Sequence, residues 1–290
     1  MSRTSKVRLL AMVLLLGVLL WGCGDSLRPD GTMPVEDYPL TQGSNPTRII
    51  SERIFTRFTG LDDTKGDYYK ICHTGTSEAY RDFLAEDSDI EMLIAQQPDP
   101  ETEKAMDAYF FKPIAKDALV FITNIDNPVD SLTLEQVKDI LSGAVTNWQQ
   151  VGGKDEAINF FRRNETGGSQ ILLDKYVLQG GTLKEVPRDH IANDMRVMSQ
   201  YVAEKSANGA TFGYTTYYFA EYSGRRPDIK TIKINGIQAE YESIKNNTYP
   251  IISQIFMGVK EMDTSAGRIY QWISTSDGQA LIKDTGYVPL

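Results

Sequence analysis

Apolar runs and amphipathic runs alternate along most of the chain. Runs typical of strands occupy positions 68–71, 116–123, 158–161, 212–218, 229–234 and 249–259. Runs with apolar residues three and four positions apart, typical of helices, occupy positions 49–58, 79–84, 132–141, 171–177, 195–205 and 266–282. Because the two kinds of run alternate, the pattern predicts an α/β fold. The chain is long enough to form two lobes.

Three of the predicted helices begin at segments of glycine and hydroxyl residues, at positions 43–46, 74–77 and 166–169. The first turn of a helix has backbone N–H groups without partners, and glycines allow a ligand close to the backbone. Arg163 precedes the third segment and offers a planar set of five donors. Each segment alone could be an ordinary helix start, but together they predict one shared site for a small tetrahedral oxyanion.

The first 22 residues have the layout of a secretory signal. Arg3, Lys6 and Arg8 precede an apolar run at 9–21, which is short for a transmembrane span. The run ends at Gly22-Cys23, which resembles the cleavage box of bacterial lipoproteins, in which the cysteine is lipidated. An ordinary signal peptide or an uncleaved anchor is the alternative. Positions 23–37 are polar and contain Pro and Gly, so we expect a flexible tether.

Charge and composition exclude several functions. Removing residues 1–22 leaves 27 basic and 39 acidic residues, a net charge of −12, which argues against a nucleic-acid partner. His73 and His190 are the only histidines, and no spacing of metal ligands is present. We therefore predict neither a metal nor a cofactor. If Cys23 carries lipid, Cys72 is the only thiol left, and we expect it to be buried and structural.

Several motifs occur in the same order as in a known family. These motifs are the segment 131–143, the tripeptide Thr146-Asn147-Trp148, the dipeptide Gly152-Gly153, the loop from Arg163 to Gln170, the turn at 234–236 and the ending 278–290. Over roughly residues 38–290 the chain resembles the phosphate-binding proteins of bacterial ABC phosphate importers. The resemblance implies a two-lobed type II periplasmic-binding-protein fold, with lobe 1 at 38–115 plus 245–290 and lobe 2 at 116–244. The ligand would lie in a cleft that closes around it.

The resemblance also implies the residues that contact the ligand. The expected ligand-binding set is Ser44, Asn45, Thr76, Gln97, Arg163, Gly167, Gly168 and Ser169. Arg162 is expected to face solvent or form a salt bridge, and Trp148 is expected to pack inside its lobe.

Two positions depart from the family pattern. Gly167 stands where the family usually has a serine, so one hydroxyl donor is missing. Gln96 and Gln97 stand where well-studied phosphate binders have an aspartate, whose carboxylate accepts a hydrogen bond from protonated phosphate and repels sulfate. Of the two, Gln97 is predicted to face the ligand.

These features predict a monomeric, lipid-anchored, extracytoplasmic binding protein that captures inorganic phosphate or a similar oxyanion for an ABC permease. The alternative is an extracytoplasmic sensor or surface interaction lipoprotein that keeps the fold but serves no importer. An enzyme is disfavoured because Cys72 and His73, adjacent on a predicted strand, would point to opposite faces, neither histidine lies in a candidate loop, and no metal-ligand spacing is present.

Overall fold

The structure is a computed structural model that describes residues 31–61, 70–204 and 210–290. The predicted signal peptide, Cys23 and the first part of the predicted tether lie outside the described residues. The last part of the tether is packed against the protein. Met33 is buried, and its N–H donates to the Phe58 carbonyl at 2.6 Å. The packed chain therefore begins before residue 38, and the prediction of a free tether up to residue 37 is wrong for its final residues.

The described residues form strands and helices that alternate along the chain. The strands are β1 Thr41–Ser44, β2 Ile71–Thr74, β3 Met92–Gln96, β4 Phe110–Asn124, β5 Ser131–Leu132, β6 Asn159–Phe160, β7 Arg162–Arg163, β8 Ile191–Ala192, β9 Thr211–Thr216, β10 Ile229–Ile234 and β11 Ile252–Val259. The α-helices are α1 Arg48–Thr59, α2 Thr76–Leu84, α3 Pro100–Ala105, α4 Leu134–Ser142, α5 Gly168–Leu173, α6 Met195–Ala203, α7 Tyr241–Lys245, α8 Ser265–Trp272 and α9 Ser276–Asp284. Short 3-10 helices lie at Val35–Asp37, Asn45–Thr47, Met106–Ala108, Trp148–Val151 and Arg188–His190, and π-helical turns lie at Asp174–Leu178 and Phe219–Ser223.

One long strand connects the two halves of the main sheet, whose strand order is β2-β1-β3-β11-β4-β10-β5. The first part of β4 pairs with β11, up to the Ala118–Ile252 pair. Its last part pairs antiparallel with β9 from Leu119 to Thr123, and β9 in turn pairs with β6. Strands β7 and β8 form a separate parallel pair. The fold is the expected two-lobed α/β architecture, in which β4 and β11 run between the lobes.

Each lobe has its own apolar core. The first lobe buries residues of α1, β3, β11, α8 and α9, among them Ile50, Phe55 and Met257. The second lobe buries residues of β4, β9, α4 and α6, among them Phe121 and Phe212. Trp148 packs edge-on against Phe212 in the second core, which confirms its predicted packing role. The lobe boundaries near residues 116 and 245 stay predictions.

The C-terminal helix predicted for 266–282 is wrong, because the structure has two helices there, α8 and α9. Between them the Thr275 side chain accepts a hydrogen bond from the Gly278 N–H, at 3.3 Å, and so caps the start of α9. Threonine and serine side chains compete with the helix for backbone hydrogen bonds, so a run of them favours a break and a new helix start. Among the described residues, no helix has both the length and the apolar character needed to cross a membrane.

Asp117 is a fully buried carboxyl in β4, where the strand passes from one lobe to the other. Its Oδ1 accepts hydrogen bonds from the N–H groups of Ala118, at 2.8 Å, and Tyr218, at 3.0 Å. Burial raises the pKa of Asp117 from its ordinary 3.8 to about 6, although these hydrogen bonds partly oppose the shift. Asp117 therefore ties the strand crossing to the segment that follows β9.

We predict that this group makes the free energy of unfolding fall as pH rises from about 4 to about 6. In that window the folded protein holds a proton that the unfolded chain has released, and above it the effect is constant. A shift of roughly two units corresponds to on the order of 3 kcal/mol. Asp117→Asn keeps an acceptor oxygen without ionising, so the stability of the variant relative to wild type should grow across the window. Urea unfolding at several pH values measures this. A stability difference between Asp117→Asn and wild type that stays the same at every pH would contradict the prediction.

Candidate functional site

The carboxyl ends of β1, β2 and β3 meet at one edge of the first lobe, because the three strands run parallel. The chain leaves β1 into the 3-10 helix that starts at Asn45, and it leaves β2 through Gly75 into α2, which starts at Thr76. Strand β3 ends at Gln96. The edge where parallel strands end is the usual place for a ligand site in α/β proteins.

The second lobe faces this edge with the loop that follows β7. A cleft of about 120 Å³ lies between the two lobes. The predicted site residues that line the cleft are Asn45, Thr76, Arg163, Gly167, Gly168 and Ser169. The structure therefore brings all three glycine and hydroxyl segments to one place. Whether these residues bind a ligand stays a prediction.

Arg163 is a buried cation in the wall of this cleft, with 6% of its surface exposed. Its Nε donates to the Ala192 carbonyl at 3.1 Å, and its Nη2 donates to the Asn193 carbonyl at 3.0 Å. Its Nη1 lies 3.4 Å from the Ser169 hydroxyl. No carboxylate of the described residues forms a salt bridge with it. Burial lowers the pKa of Arg163, which reflects the cost of holding a positive charge there without a counter-ion.

The backbone around Arg163 is held by a chain of polar side chains. The Arg163 N–H donates to the Tyr214 hydroxyl at 2.8 Å, and that hydroxyl donates to the Gln170 side-chain oxygen. The Gln170 amide in turn donates to Asp174 at 2.8 Å. Burial raises the pKa of the Tyr214 hydroxyl, so it stays protonated and can donate. This network connects the strand that carries Arg163 to α5 on the other side of the loop.

Gly168 brings the lobes into close approach. A Cβ atom added to Gly168 would lie 2.6 Å from Thr76 Oγ1 and 2.8 Å from Gln96 Oε1, both in the opposite lobe. A Cβ added to Gly167 would lie 2.8 Å from Arg163 Nη2. A side chain at either position would therefore force these neighbours to move.

Near Gly168, three buried polar atoms of the first lobe have no hydrogen-bond partners. Among the described residues they are Thr76 Oγ1, Gln96 Oε1 and Gln96 Nε2, and both side chains are at most 2% exposed. An unsatisfied buried polar group costs about 1–3 kcal/mol. Native proteins leave few such groups unpaired, so a cluster at one point indicates a place where a polar ligand completes the bonding.

Gln97 does not line the cleft, and the prediction that it faces the ligand is not supported by its position. Its Oε1 accepts from the Tyr176 hydroxyl at 2.6 Å, and its N–H donates to the Gln254 carbonyl at 2.9 Å. Consecutive residues of an extended chain point to opposite sides, so only one of the two glutamines can face the site. Gln96 is the one that points toward Gly168 of the second lobe, although it does not line the cleft itself.

Ser44 also stays out of the cleft lining and is fully buried. Its Oγ accepts from the Gln96 N–H at 3.1 Å and lies 3.3 Å from the Thr47 hydroxyl. The Thr47 hydroxyl also donates to the Ile94 carbonyl at 2.6 Å. In this structure Ser44 therefore holds the ends of β1 and β3 together and orients Gln96.

Two polar contacts join the lobes beside the cleft. One is the hydrogen bond from Tyr176 to Gln97, and the other is the salt bridge between Lys175 Nζ and Glu103 Oε2, at 2.6 Å. The Lys175 side chain is 18% exposed and that of Glu103 is 43% exposed, so this ion pair is only partly screened by solvent. Because Lys175 and Tyr176 lie in the π-helical turn that follows α5, these contacts link the loop of Arg163 to the first lobe.

The cleft wall also contains residues that the sequence pattern does not single out, notably Asn193, Asp194 and Met195. They follow β8, which pairs with β7 next to Arg163. Asp194 caps α6 by accepting from the Val197 N–H at 2.8 Å. A capping aspartate before a helix could have been recognised in the sequence, but its position beside Arg163 could not.

The structure also shows where Arg162, Cys72 and His73 lie. Arg162 is half-buried and does not line the cleft. Cys72 is exposed on β2, at the edge of the sheet, so the prediction that it is buried is wrong. Burial and the nearby Arg48 lower the pKa of His73 to about 4. Within the described residues, no three side chains of His, Cys, Asp or Glu lie together in a way that could hold a metal ion.

Comparison with known proteins places this chain in a family. Residues 59–273 match the family described as the PBP superfamily domain, and the chain belongs to that family. Its proteins bind solutes and are not enzymes. The phosphate-binding protein PstS of Staphylococcus epidermidis is 26% identical over 93% of this chain and 85% of its own length. The corresponding protein of Borreliella burgdorferi is 26% identical over 60% of this chain and 63% of its own length.

Solved structures show the same fold. A substrate-binding protein of Clostridium perfringens, with bound phosphate, has a TM-score of 0.68 at 21% identity, covering 87% of this chain and 99% of that chain. An ABC-type phosphate transport receptor of Vibrio cholerae has a TM-score of 0.65 at 19% identity, covering 86% and 99%. These likenesses confirm the two-lobed periplasmic-binding-protein fold that the sequence predicts.

Proposed function

We propose that this protein captures inorganic phosphate outside the cytoplasm and delivers it to an ABC importer. The observation that carries the proposal is the position of Arg163 and Thr76 on opposite walls of one cleft, with the unpartnered polar atoms of Gln96 beside it at Gly168. A buried guanidinium without a carboxylate partner and a set of unsatisfied donors are what a small oxyanion needs. The names of the relatives, which are phosphate-binding proteins, support the same ligand.

The size of the cleft supports a small ligand. Its volume of about 120 Å³ equals about four waters at roughly 30 Å³ each. A tetrahedral anion with five heavy atoms fits such a volume, whereas a peptide or a nucleotide does not. The N–H groups of the first turn of α5 and the hydroxyls of Thr76 and Ser169 add donors around it.

Both lobes contribute to this site, so we propose that phosphate favours the closed arrangement. Arg163 and Ser169 belong to one lobe, and Thr76 and Gln96 belong to the other. No single lobe satisfies every oxygen of the anion, and a ligand shifts an equilibrium only by its differential contacts with the two states. The contacts of Tyr176 and Lys175 across the lobes would add to the stability of the closed form.

The alternative function is that of a sensor or surface interaction lipoprotein that binds the anion without serving an importer. The glutamine at the end of β3, in place of the family aspartate, favours this alternative. Uptake of labelled phosphate by cells that lack the gene separates the two. Unchanged uptake, together with phosphate binding by the purified protein, would favour the sensor.

Our first prediction for this site concerns Arg163. Arg163→Ala removes the cation that faces the cleft and, with it, a charge-assisted contact to the anion. The replacement should weaken phosphate binding by about 2–5 kcal/mol, a loss of thirtyfold or more. Arg162→Ala is the matched control, because Arg162 does not line the cleft, and it should cost less than about 1 kcal/mol. Calorimetric titration with phosphate measures both. Equal losses at the two positions would show that Arg163 is not the anion contact.

A second prediction uses two buried threonine hydroxyls that both lack partners, Thr76 in the cleft and Thr215 outside it. Replacement of either by valine keeps the shape and removes an unsatisfied polar group, so unliganded stability should stay equal or rise by roughly 1 kcal/mol. Only Thr76→Val should weaken phosphate binding, by about tenfold. Thermal unfolding with and without phosphate gives both quantities. If the two variants bind phosphate equally well, the Thr76 hydroxyl is not a ligand contact.

The lipid anchor is a separate part of the proposal, and it rests on Gly22-Cys23 after an apolar run. We predict that cells incorporate labelled fatty acid into the protein and that Cys23→Ser abolishes this incorporation. Cys72→Ser is the control, since Cys72 lies far along the chain and should not affect labelling. Labelling that persists in Cys23→Ser would refute lipidation at this cysteine.

A further inference from the structure

Asp194 is the one carboxylate among the described residues that line the cleft. Its position is held by the neighbouring backbone, because the carbonyls of Ala192 and Asn193 both accept hydrogen bonds from the Arg163 guanidinium. The side chain lies at the exposed rim, where the same residue also borders a wider space of about 570 Å³ between the lobes.

Asp194 and Arg163 face the same cleft without pairing with each other. No salt bridge within 4 Å joins them, although the charge of Asp194 is close enough to act on the pKa of Arg163 and raise it. One oxygen of Asp194, Oδ1, accepts from the Val197 N–H at 2.8 Å. The other oxygen makes no hydrogen bond with the described residues. A cation and a carboxylate that share a cleft but stay apart leave room for a group that contacts both.

The other groups in the cleft do not supply a selective acceptor. Arg163 and the backbone N–H groups only donate, and the hydroxyls of Thr76 and Ser169 can rotate to donate or accept. The side-chain amides of Asn45 and Asn164 in the lining, and that of Gln96 beside it at Gly168, each present an acceptor oxygen and a donor NH₂, and a rotation of the amide exchanges them. None of these groups therefore distinguishes an anion that carries a proton from one that does not. A carboxylate oxygen does, because it can only accept.

We infer that Asp194 determines specificity, with its free oxygen accepting a hydrogen bond from the protonated oxygen of the bound anion. The inference rests on the proposed function and adds to it the class of anion that the cleft prefers. An anion with a proton, such as phosphate at neutral pH, satisfies both Arg163 and Asp194. A fully ionised anion such as sulfate meets a carboxylate that it cannot bond, which is a cost against the wrong ligand.

The test is Asp194→Asn, measured by titration of the full protein with phosphate and with sulfate at pH 7. Asparagine is as good a helix cap as aspartate, so its oxygen can still accept from Val197 and the fold is retained. Its NH₂ group then replaces the free oxygen and turns an acceptor into a donor. We expect weaker phosphate binding, tighter sulfate binding, and a selectivity for phosphate over sulfate that falls at least tenfold.

Asp189→Asn is the control, because it removes the same charge from an exposed position outside the cleft lining and should leave the selectivity unchanged. A selectivity of Asp194→Asn within twofold of wild type, with phosphate still bound, would overturn the inference alone. An equal loss for both anions would also overturn it, since the carboxylate would then only orient Arg163. Wild-type protein that binds no phosphate would overturn the proposed function as well.

Discussion

The buried guanidinium of Arg163 is the constraint on which the arrangement of the cleft depends. A cation with 6% exposure is costly unless its donors are satisfied. Here the carbonyls of Ala192 and Asn193 satisfy two of them, so the short pairing of β7 with β8 is what makes the burial possible. Carbonyl dipoles satisfy hydrogen bonds but do not neutralise the charge. No carboxylate of the described residues forms a salt bridge with Arg163, and Asp194 is the nearest one in the cleft wall that acts on its charge.

The first-lobe side of the cleft carries buried polar groups that lack hydrogen-bond partners among the described residues. Thr76 and Gln96 are held in place by the parallel strands of the first lobe, and their polar atoms remain unpartnered. Filling these positions with apolar side chains would stabilise the unliganded protein, so the unsatisfied groups represent stability given up at the site. Gly167 and Gly168 lie where there is little room for a side chain. Any side chain there would occupy the space that Arg163, Thr76 and Gln96 leave between them.

Much of the fold could be predicted because its signals are local. Helix α4 begins after Thr133, whose side chain accepts from the Gln136 N–H at 3.1 Å, and it ends at Gly143 with a φ of 86°. The glycine and hydroxyl segments likewise mark real helix starts at Thr76 and Gly168. Local signals failed where two readings were equally good. At 266–282 the apolar pattern continues past Thr275 and competes with the hydroxyl run at 274–276, and the observed cap shows that the hydroxyl run prevails. Cys72 lies on a strand with partial burial throughout, and the edge position of β2 decides its exposure.

By itself the sequence determined the α/β class and singled out the three glycine and hydroxyl segments and Arg163 beside the third, because each depends on residue type and spacing within a short stretch. Only the tertiary structure decided which side chains meet. Gln96 rather than Gln97 points toward Gly168 of the second lobe because strand alternation sends the two side chains to opposite sides, and the register of β3 selects between them. Ser44 is withdrawn because its hydroxyl bonds to the next strand. Asp194 stands beside Arg163 because β7 and β8 pair across a separation of about thirty residues, a contact that no local pattern encodes.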